Sequence, residues 1–214
     1  MQPMEEDMQS AVRLGQPRRF WVRNFLCAVR PHVLALQELY ISNAILRFIT
    51  RVAVPTYRCY SSDPIPATGG TSILVSKECD VLESFFLPSL DFGWVLVRYL
   101  DVVFGVVSVY SPNHSSGRVQ LWKTLRETLP FKPWILCGDF NMVQARSDVS
   151  GESSLLKGQE YTEFHRFTTQ FNFLDSRQLT IDAWGPPYTR SQQTVDGFKW
   201  SDLDRFYMSL EASS

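Results

Sequence analysis

The stretch from Pro133 to Asn141, with the sequence PWILCGDFN, is the part of the chain that most restricts its fold. Its apolar run, residues 134–137, lies between a proline and a glycine, and that length is typical of a strand buried on both faces. Asp139 and Asn141 follow Gly138, and in an extended segment side chains two residues apart point to the same side. A carboxylate and a carboxamide together suit a hard divalent cation, or a phosphate and its attacking water. The alternative is that both residues only form a turn.

The composition predicts one globular domain of ordinary type. The chain has 214 residues, 44% hydrophobic and 20% charged, which is enough to fill a single core. Its formal net charge of -1 provides no global positive field. Contact with nucleic acid would therefore need a local patch, or metal ions that neutralise phosphates. The absence of any C-x-x-C pair indicates buried free thiols in a reducing compartment for the four cysteines, Cys27, Cys59, Cys79 and Cys137.

The start of the chain is polar and acidic, unlike a signal or transit peptide. No apolar run approaches the ~20 residues that a membrane span needs. We therefore expect an intracellular monomer with no membrane contact. Residues 1–15 are expected to be a disordered tail, and residues 16–214 a single domain.

Hydrophobic spacing predicts a mixed architecture. Helical patterns occur near residues 17–30, 44–49, 119–129 and 161–171. Strand patterns occupy residues 33–36, 57–60, 71–75, 81–86, 94–100, 102–110, 134–137 and 203–210, and Asp196-Gly197 signals a further hairpin. Strands in hairpin-like series with few helices favour an α+β sandwich, two packed sheets with helices outside, over a doubly wound parallel sheet.

Four of the apolar runs end in polar side chains, in the motifs LQE, YSPN, GDFN and LDR. Each motif also has a purely structural interpretation. Glu38 could lie in the first turn of a helix, where the dipole favours an acid. Tyr110 could fill a half-buried position, and Asp204 could be a surface acid paired with Arg205. The four motifs together, in this order, are harder to explain by structure alone.

The ordered motifs LQE, YSPN, GDFN and LDRFYMS resemble those of the endonuclease/exonuclease/phosphatase superfamily, over residues 15–209. The resemblance is greatest to the apurinic-type endonuclease domain of non-LTR (LINE-like) retrotransposons. It implies a DNase I-like, four-layer α/β sandwich that hydrolyses phosphodiester bonds of DNA with Mg²⁺ (or Mn²⁺). It also implies a parent polyprotein with a reverse transcriptase, and a nuclear location for the parent element.

The resemblance assigns roles to particular residues. Glu38 matches the metal-binding glutamate, and Asp139 and Asn141 match the pair that orients the attacking water and holds the scissile phosphate. Tyr110 matches the tyrosine that reaches the phosphate or the leaving group, and Asp204 matches the acid that positions a catalytic histidine. The residues expected to contact DNA are Asn113, Gln192, Gln193 and Thr194, the last three in the hairpin that such enzymes use to probe the groove.

Two departures from the family pattern concern the ends of the fold. The family begins with a strand carrying a W-N dipeptide and ends with a strand carrying S-D-H, which supplies the catalytic histidine. Neither motif occurs here, so we expect the first and last strands to be missing and hydrolysis by this chain to be poor. His114 is the histidine that follows a predicted site motif most closely.

Two other functions stay open at this point. The first is a catalytically dead remnant of such a domain with at most weak nucleic-acid binding. The second keeps the fold and changes the substrate to a phosphoinositide, sphingomyelin or an RNA tail. The LDR motif and the surroundings of GDFN favour the retrotransposon branch.

Overall fold

The computed structural model describes residues 16–61, 70–130, 134–144, 158–176, 190–194, 197–201 and 203–209. The predicted tail, residues 1–15, lies outside these ranges. The helices are α1 (Gln16–Val29), α2 (Asn43–Ala53), α3 (Ser115–Thr128) and α4 (Gln159–Gln170). The strands are β1 (Val33–Gln37), β2 (Tyr57–Ser61), β3 (Thr71–Ser76), β4 (Asp80–Leu87), β5 (Phe92–Tyr99), β6 (Val102–Tyr110), β7 (Trp134–Asp139), β8 (Phe173–Asp175), β9 (Arg190–Thr194), β10 (Gly197–Ser201) and β11 (Asp204–Ser209).

The larger sheet has six strands in the order β4-β5-β6-β7-β11-β8. All neighbours are antiparallel except β6 and β7, which run parallel. Helix α3 is the crossover that this parallel pair requires. The carboxyl ends of β6 and β7 therefore lie at the same edge of the sheet, together with the amino end of the antiparallel β11.

The smaller sheet has three antiparallel strands in the order β1-β3-β2. Its inner face packs on the larger sheet through Ile73 and Val75, which contact Val95, Val97 and Val106. Its outer face packs on α1 through Leu74 and Leu26. Strands β9 and β10 form a separate antiparallel hairpin.

The outer face of the larger sheet is covered by α3 and α4. Trp122 is fully buried there and stacks on Phe140 and Phe167 at centroid distances of 5.5 and 5.9 Å. Buried acids of α4 pair with arginines of α3, Glu160 with Arg118 and Glu163 with Arg126. The chain is thus built as helix, three-stranded sheet, six-stranded sheet and helices, which confirms the predicted α+β four-layer sandwich.

The structure corrects the prediction in two places. The short apolar run at residues 33–36 favours a buried strand by its length, but all five residues of β1 are half-buried, since within the described chain β1 pairs on one side only. Strand β8 was not predicted, because three residues, Phe173–Asp175, are too few for a periodic pattern. In the described parts of the chain, no helix combines the length and apolar character that crossing a bilayer requires.

Trp122→Ala should lower the free energy of unfolding by about 3–5 kcal/mol, because it removes a fully buried indole from a close-packed aromatic cluster. Val52→Ala is the control, since Val52 is 67% exposed on α2, and its effect should stay within about 0.5 kcal/mol. Urea unfolding measures the stability of both variants, with circular dichroism as the signal because it does not depend on tryptophan fluorescence. Equal stability of the two variants would contradict the packing described here.

Candidate active site

Three strand ends of the larger sheet meet at one edge, and each brings a polar side chain. Tyr110 of β6 lies opposite Asp139 of β7 in the parallel pair. Asp139 lies in turn opposite Asp204 of β11 in the antiparallel pair. Residues directly opposite each other share a face of the sheet. Because Val106 and Cys137 on the same strands pack between the sheets, this is the inner face.

Strand β1 of the smaller sheet brings Glu38 to the same edge. Gln37 Nε2 donates a hydrogen bond to Ser108 Oγ at 2.8 Å, which ties the end of β1 to β6 two residues before Tyr110. Glu38 follows directly, and hydrogen bonding joins it to Tyr110. Its φ of 55° places a non-glycine residue in the left-handed region, so Glu38 does not belong to a helical first turn.

Asp139 and Asn141 are joined by a turn and not by continued strand geometry. The Asn141 backbone N–H donates to Asp139 Oδ1 at 2.8 Å, and Asn141 adopts a left-handed φ of 45°. Its side-chain Nδ2 donates to the Ser111 carbonyl at 2.6 Å. The turn-forming interpretation of this pair is therefore correct as structure. It also fixes both side chains beside the end of β6, which leaves the chemical interpretation open.

Gly138 permits this arrangement. A Cβ at this position would lie 1.9 Å from the Val109 carbonyl oxygen, and the φ of 137° is one that other residues rarely adopt. The glycine that ends the apolar run thus allows β7 to approach β6 closely, just before Asp139.

The pKa of Tyr110 is raised well above its ordinary value. The largest cause is burial, followed by hydrogen bonding to Glu38 and by the negative charge of Glu38, with smaller contributions from Tyr40 and Asp139. The phenol therefore keeps its proton through the neutral range and remains a hydrogen-bond donor.

A mainly apolar cleft of about 530 Å³ opens beside these residues. It lies between β1 and the inner face of β7 and β11, with Gln37, Gly138 and Asp204 among its lining residues. On β11, Phe206 is 58% and Met208 39% exposed, because in the described parts of the chain the three-stranded sheet ends at β1 and does not extend over this part of the larger sheet. The half-buried state of β1 has the same cause.

The histidines lie in three different places. His32 precedes β1, at the opposite end of that strand from Glu38, where its ring packs on Tyr99. His165 is on α4, the outer helical layer. His114 is the N-cap residue of α3, three residues beyond Ser111, and its ring lies against Gly117, where a Cβ would be 2.7 Å from Nε2.

The predicted DNA-contact residues have different outcomes. Asn113 is exposed in the segment between β6 and α3, at the edge of the sheet where β6 ends. Gln192, Gln193 and Thr194 lie in β9, paired with β10, but their side chains fall outside the described part of the chain. Thr194 pairs with Gly197, so the two strands of this hairpin are paired up to these residues.

Comparison with known protein families gives one match over most of the chain. The model of the Endonuclease/Exonuclease/phosphatase family matches residues 21–213. The chain belongs to this family. Comparison with curated protein sequences gave no match.

Several solved protein structures have a fold similar to that of this chain. An AP endonuclease from Archaeoglobus fulgidus superposes with a TM-score of 0.66 at 18% identity, covering 90% of this chain and 81% of that one. TDP2 of D. rerio, in complex with a single-strand DNA product, gives 0.65 at 18% identity, with 92% and 78% covered. The catalytic domain of Xenopus laevis APE2 gives 0.65 at 14% identity, with 88% and 77% covered. The DNase I-like fold is thus established.

One buried contact beside the candidate site could not be predicted from the sequence. Arg205 was considered as a partner of Asp204; in the structure its Nη1 donates a hydrogen bond to Asp175 Oδ2 of β8 at 2.8 Å. Both side chains are buried, and the pair locks β11, which carries Asp204, against β8. No sequence signal pointed to Asp175, because β8 itself was not predicted.

Arg205→Met should destabilise the fold by about 3–5 kcal/mol, since it leaves the Asp175 carboxylate buried without its cationic partner. The double variant Arg205→Met with Asp175→Leu should recover most of that loss, because no uncompensated charge remains. Urea unfolding measures both variants. A single variant as stable as the wild type would show that the pair does not anchor β11.

Tyr110→Phe should flatten the alkaline loss of stability. The folded-state pKa of Tyr110 is above the ordinary value of 10.0. The neutral phenol therefore contributes its full stabilisation of the fold at pH values below the ordinary pKa. This stabilisation is lost as the pH rises toward the folded pKa. Thermal unfolding from neutral to strongly alkaline pH should therefore show a smaller decrease in Tm for Tyr110→Phe. Tyr99→Phe is the control, and identical pH profiles for all three proteins would contradict the shift.

Proposed function

We propose that this protein hydrolyses phosphodiester bonds of DNA in a reaction that depends on a divalent metal ion. The observation that carries the proposal is the meeting of Glu38, Tyr110, Asp139, Asn141 and Asp204 at one edge of the two sheets. Family membership supports the reaction class, since the motifs that match the family pattern are the ones brought together here.

The proposed roles follow from the contacts of each residue. Asp139 takes a proton from the attacking water, whose oxygen forms the new bond to phosphorus while the ester oxygen leaves on the opposite side. Asn141 helps to hold Asp139 and the phosphate, since its backbone and side chain are both fixed by hydrogen bonds. The protonated phenol of Tyr110, whose single O–H bonds to Glu38 in the structure, would turn from Glu38 to donate a hydrogen bond to the developing charge. Asp204 lies opposite Asp139 on β11 and has the proposed role of orienting the side chains next to it at this edge.

The donor set suits Mg²⁺ or Mn²⁺. Glu38 is an exposed residue at the edge of the site, and its side chain is hydrogen-bonded to Tyr110. Among the described residues, no three His, Cys, Asp or Glu side chains form a compact cage. Mg²⁺ is usually held by one or two carboxylates with water in the remaining positions, so Glu38 with water fits it. When bound, the cation would supply charge that stabilises the phosphoryl and leaving oxygens.

We also propose Asn113, Gln192, Gln193 and Thr194 as DNA contacts. The exposed position of Asn113 at the end of β6 supports its part of this proposal. The sequence motifs further suggest an origin in the endonuclease domain of a non-LTR retrotransposon, with a reverse transcriptase in the parent polyprotein and action in the nucleus. Coding sequence for a reverse transcriptase in the genomic flanks would test this origin.

A plasmid-nicking assay tests the activity. Wild-type protein with Mg²⁺ should convert supercoiled DNA to the open-circular form slowly, in keeping with the poor hydrolysis expected from the sequence, and EDTA should abolish the conversion. Asp139→Ala should reduce the rate by about 10²–10⁴-fold, since it removes the proposed proton acceptor. Asp101→Ala is the matched control, because Asp101 is an exposed acid at the opposite end of β6 and should leave the rate unchanged. Equal rates for both variants would refute the proposal.

A second candidate is a catalytically impaired domain that binds nucleic acid weakly. The position of His114 favours this candidate. His114 is the histidine that follows a site motif most closely, and its ring packs on Gly117 at the start of α3. This candidate would be supported if the wild-type protein binds DNA but shows no nicking that is lost in Asp139→Ala. Robust nicking that disappears in Asp139→Ala would rule it out, and loss in His114→Ala as well would assign His114 to the reaction.

A further inference from the structure

Tyr40 is a large aromatic residue in an unusual conformation at the edge of the candidate active site. Its φ is 50°, in the left-handed region where bulky residues are rare, and its side chain is 58% exposed. Glu38, two residues earlier, is left-handed as well. Strained backbone of this kind persists only where the surrounding structure holds it, and it is concentrated at ligand sites.

The segment that carries Tyr40 is held at both ends. Before it, Gln37 Nε2 donates to Ser108 Oγ at 2.8 Å. After it, Asn43 Nδ2 at the start of α2 donates to the Ser61 carbonyl at 3.0 Å. The phenol of Tyr40 is also close enough to Tyr110 to contribute to the raised pKa of Tyr110. The ring is thus presented to solvent from a short, fixed segment directly beside the proposed reaction centre.

We propose that Tyr40 is a stacking platform for a nucleobase adjacent to the scissile phosphate, a role that rests on the proposed function. An exposed aromatic ring on a fixed segment loses little conformational freedom when a base stacks on it, and every base offers a face. A base can stack on a protein ring only when it has left its own stack. The substrate class is therefore DNA that is single-stranded or unpaired beside the cleavage position.

Binding in EDTA, where no cleavage occurs, tests the role of the ring. The probe is a fluorescein-labelled single-stranded DNA oligonucleotide, and fluorescence anisotropy reports its affinity. Tyr40→Ala should weaken binding by about 5- to 150-fold, while Tyr40→Phe, which keeps the ring, should bind like the wild type. Tyr40→Gly, which suits a left-handed φ, should lose the same affinity without backbone strain. It therefore separates loss of stacking from misfolding.

Leu100→Ala is the matched control. Leu100 is also large, left-handed (φ 52°) and exposed (76%), but it lies at the β5–β6 turn, at the opposite end of the sheet from Tyr110. Its replacement should leave the affinity unchanged. Wild-type affinity in both Tyr40→Ala and Tyr40→Gly would overturn the proposal.

Abasic positions moved along the oligonucleotide identify the stacked base. At one position the missing base should weaken binding to the wild type but not to Tyr40→Ala, since the two changes remove the same contact. Equal losses in both proteins at every position would overturn the proposal. Nicking that depends on Asp139 but not on Tyr40 would then refute only the stacking role. Absence of both DNA binding and nicking would refute it together with the proposed function.

Discussion

Strands β6 and β7 run side by side in the same direction, with Tyr110 opposite Asp139. This parallel pair places two polar strand ends at one edge, which an antiparallel hairpin would have sent to opposite edges. Gly138 makes the pairing possible, because any side chain there would meet the Val109 carbonyl. The buried cluster around Trp122 covers the other face of the same two strands, so packing and site geometry have a common origin.

The site is divided between two sheets. Asp139 and Asp204 belong to the larger sheet, while Glu38 belongs to the smaller one, and the bond from Gln37 to Ser108 sets their alignment. The candidate site brings three acidic residues to one edge of a chain whose formal net charge is only -1. A phosphate that approaches this edge experiences repulsion unless a cation is bound there, which gives a physical reason to expect metal dependence.

Most of the architecture could be predicted from the sequence, because strands such as β3, β5, β6 and β7 are largely apolar or β-branched runs of ordinary length. Strand β6 was predicted with its observed limits. Contacts between distant segments could not be predicted. The partner of Arg205 depends on β8 lying beside β11, and the strained conformation of Tyr40 depends on anchors at Ser108 and Ser61. Motif order indicated which residues belong to the site, whereas their hydrogen-bond partners required the fold.

Strand β11 lies between β7 and β8, although both of these precede it in the chain. During synthesis, β8 emerges before the strand with which it pairs, so this edge of the larger sheet can close only when residues 204–209 have left the ribosome. Asp204 arrives with β11. The strand that joins β7 to β8 and one acid of the candidate site are therefore added in the same step, and a nascent chain that stops before Asp204 lacks both.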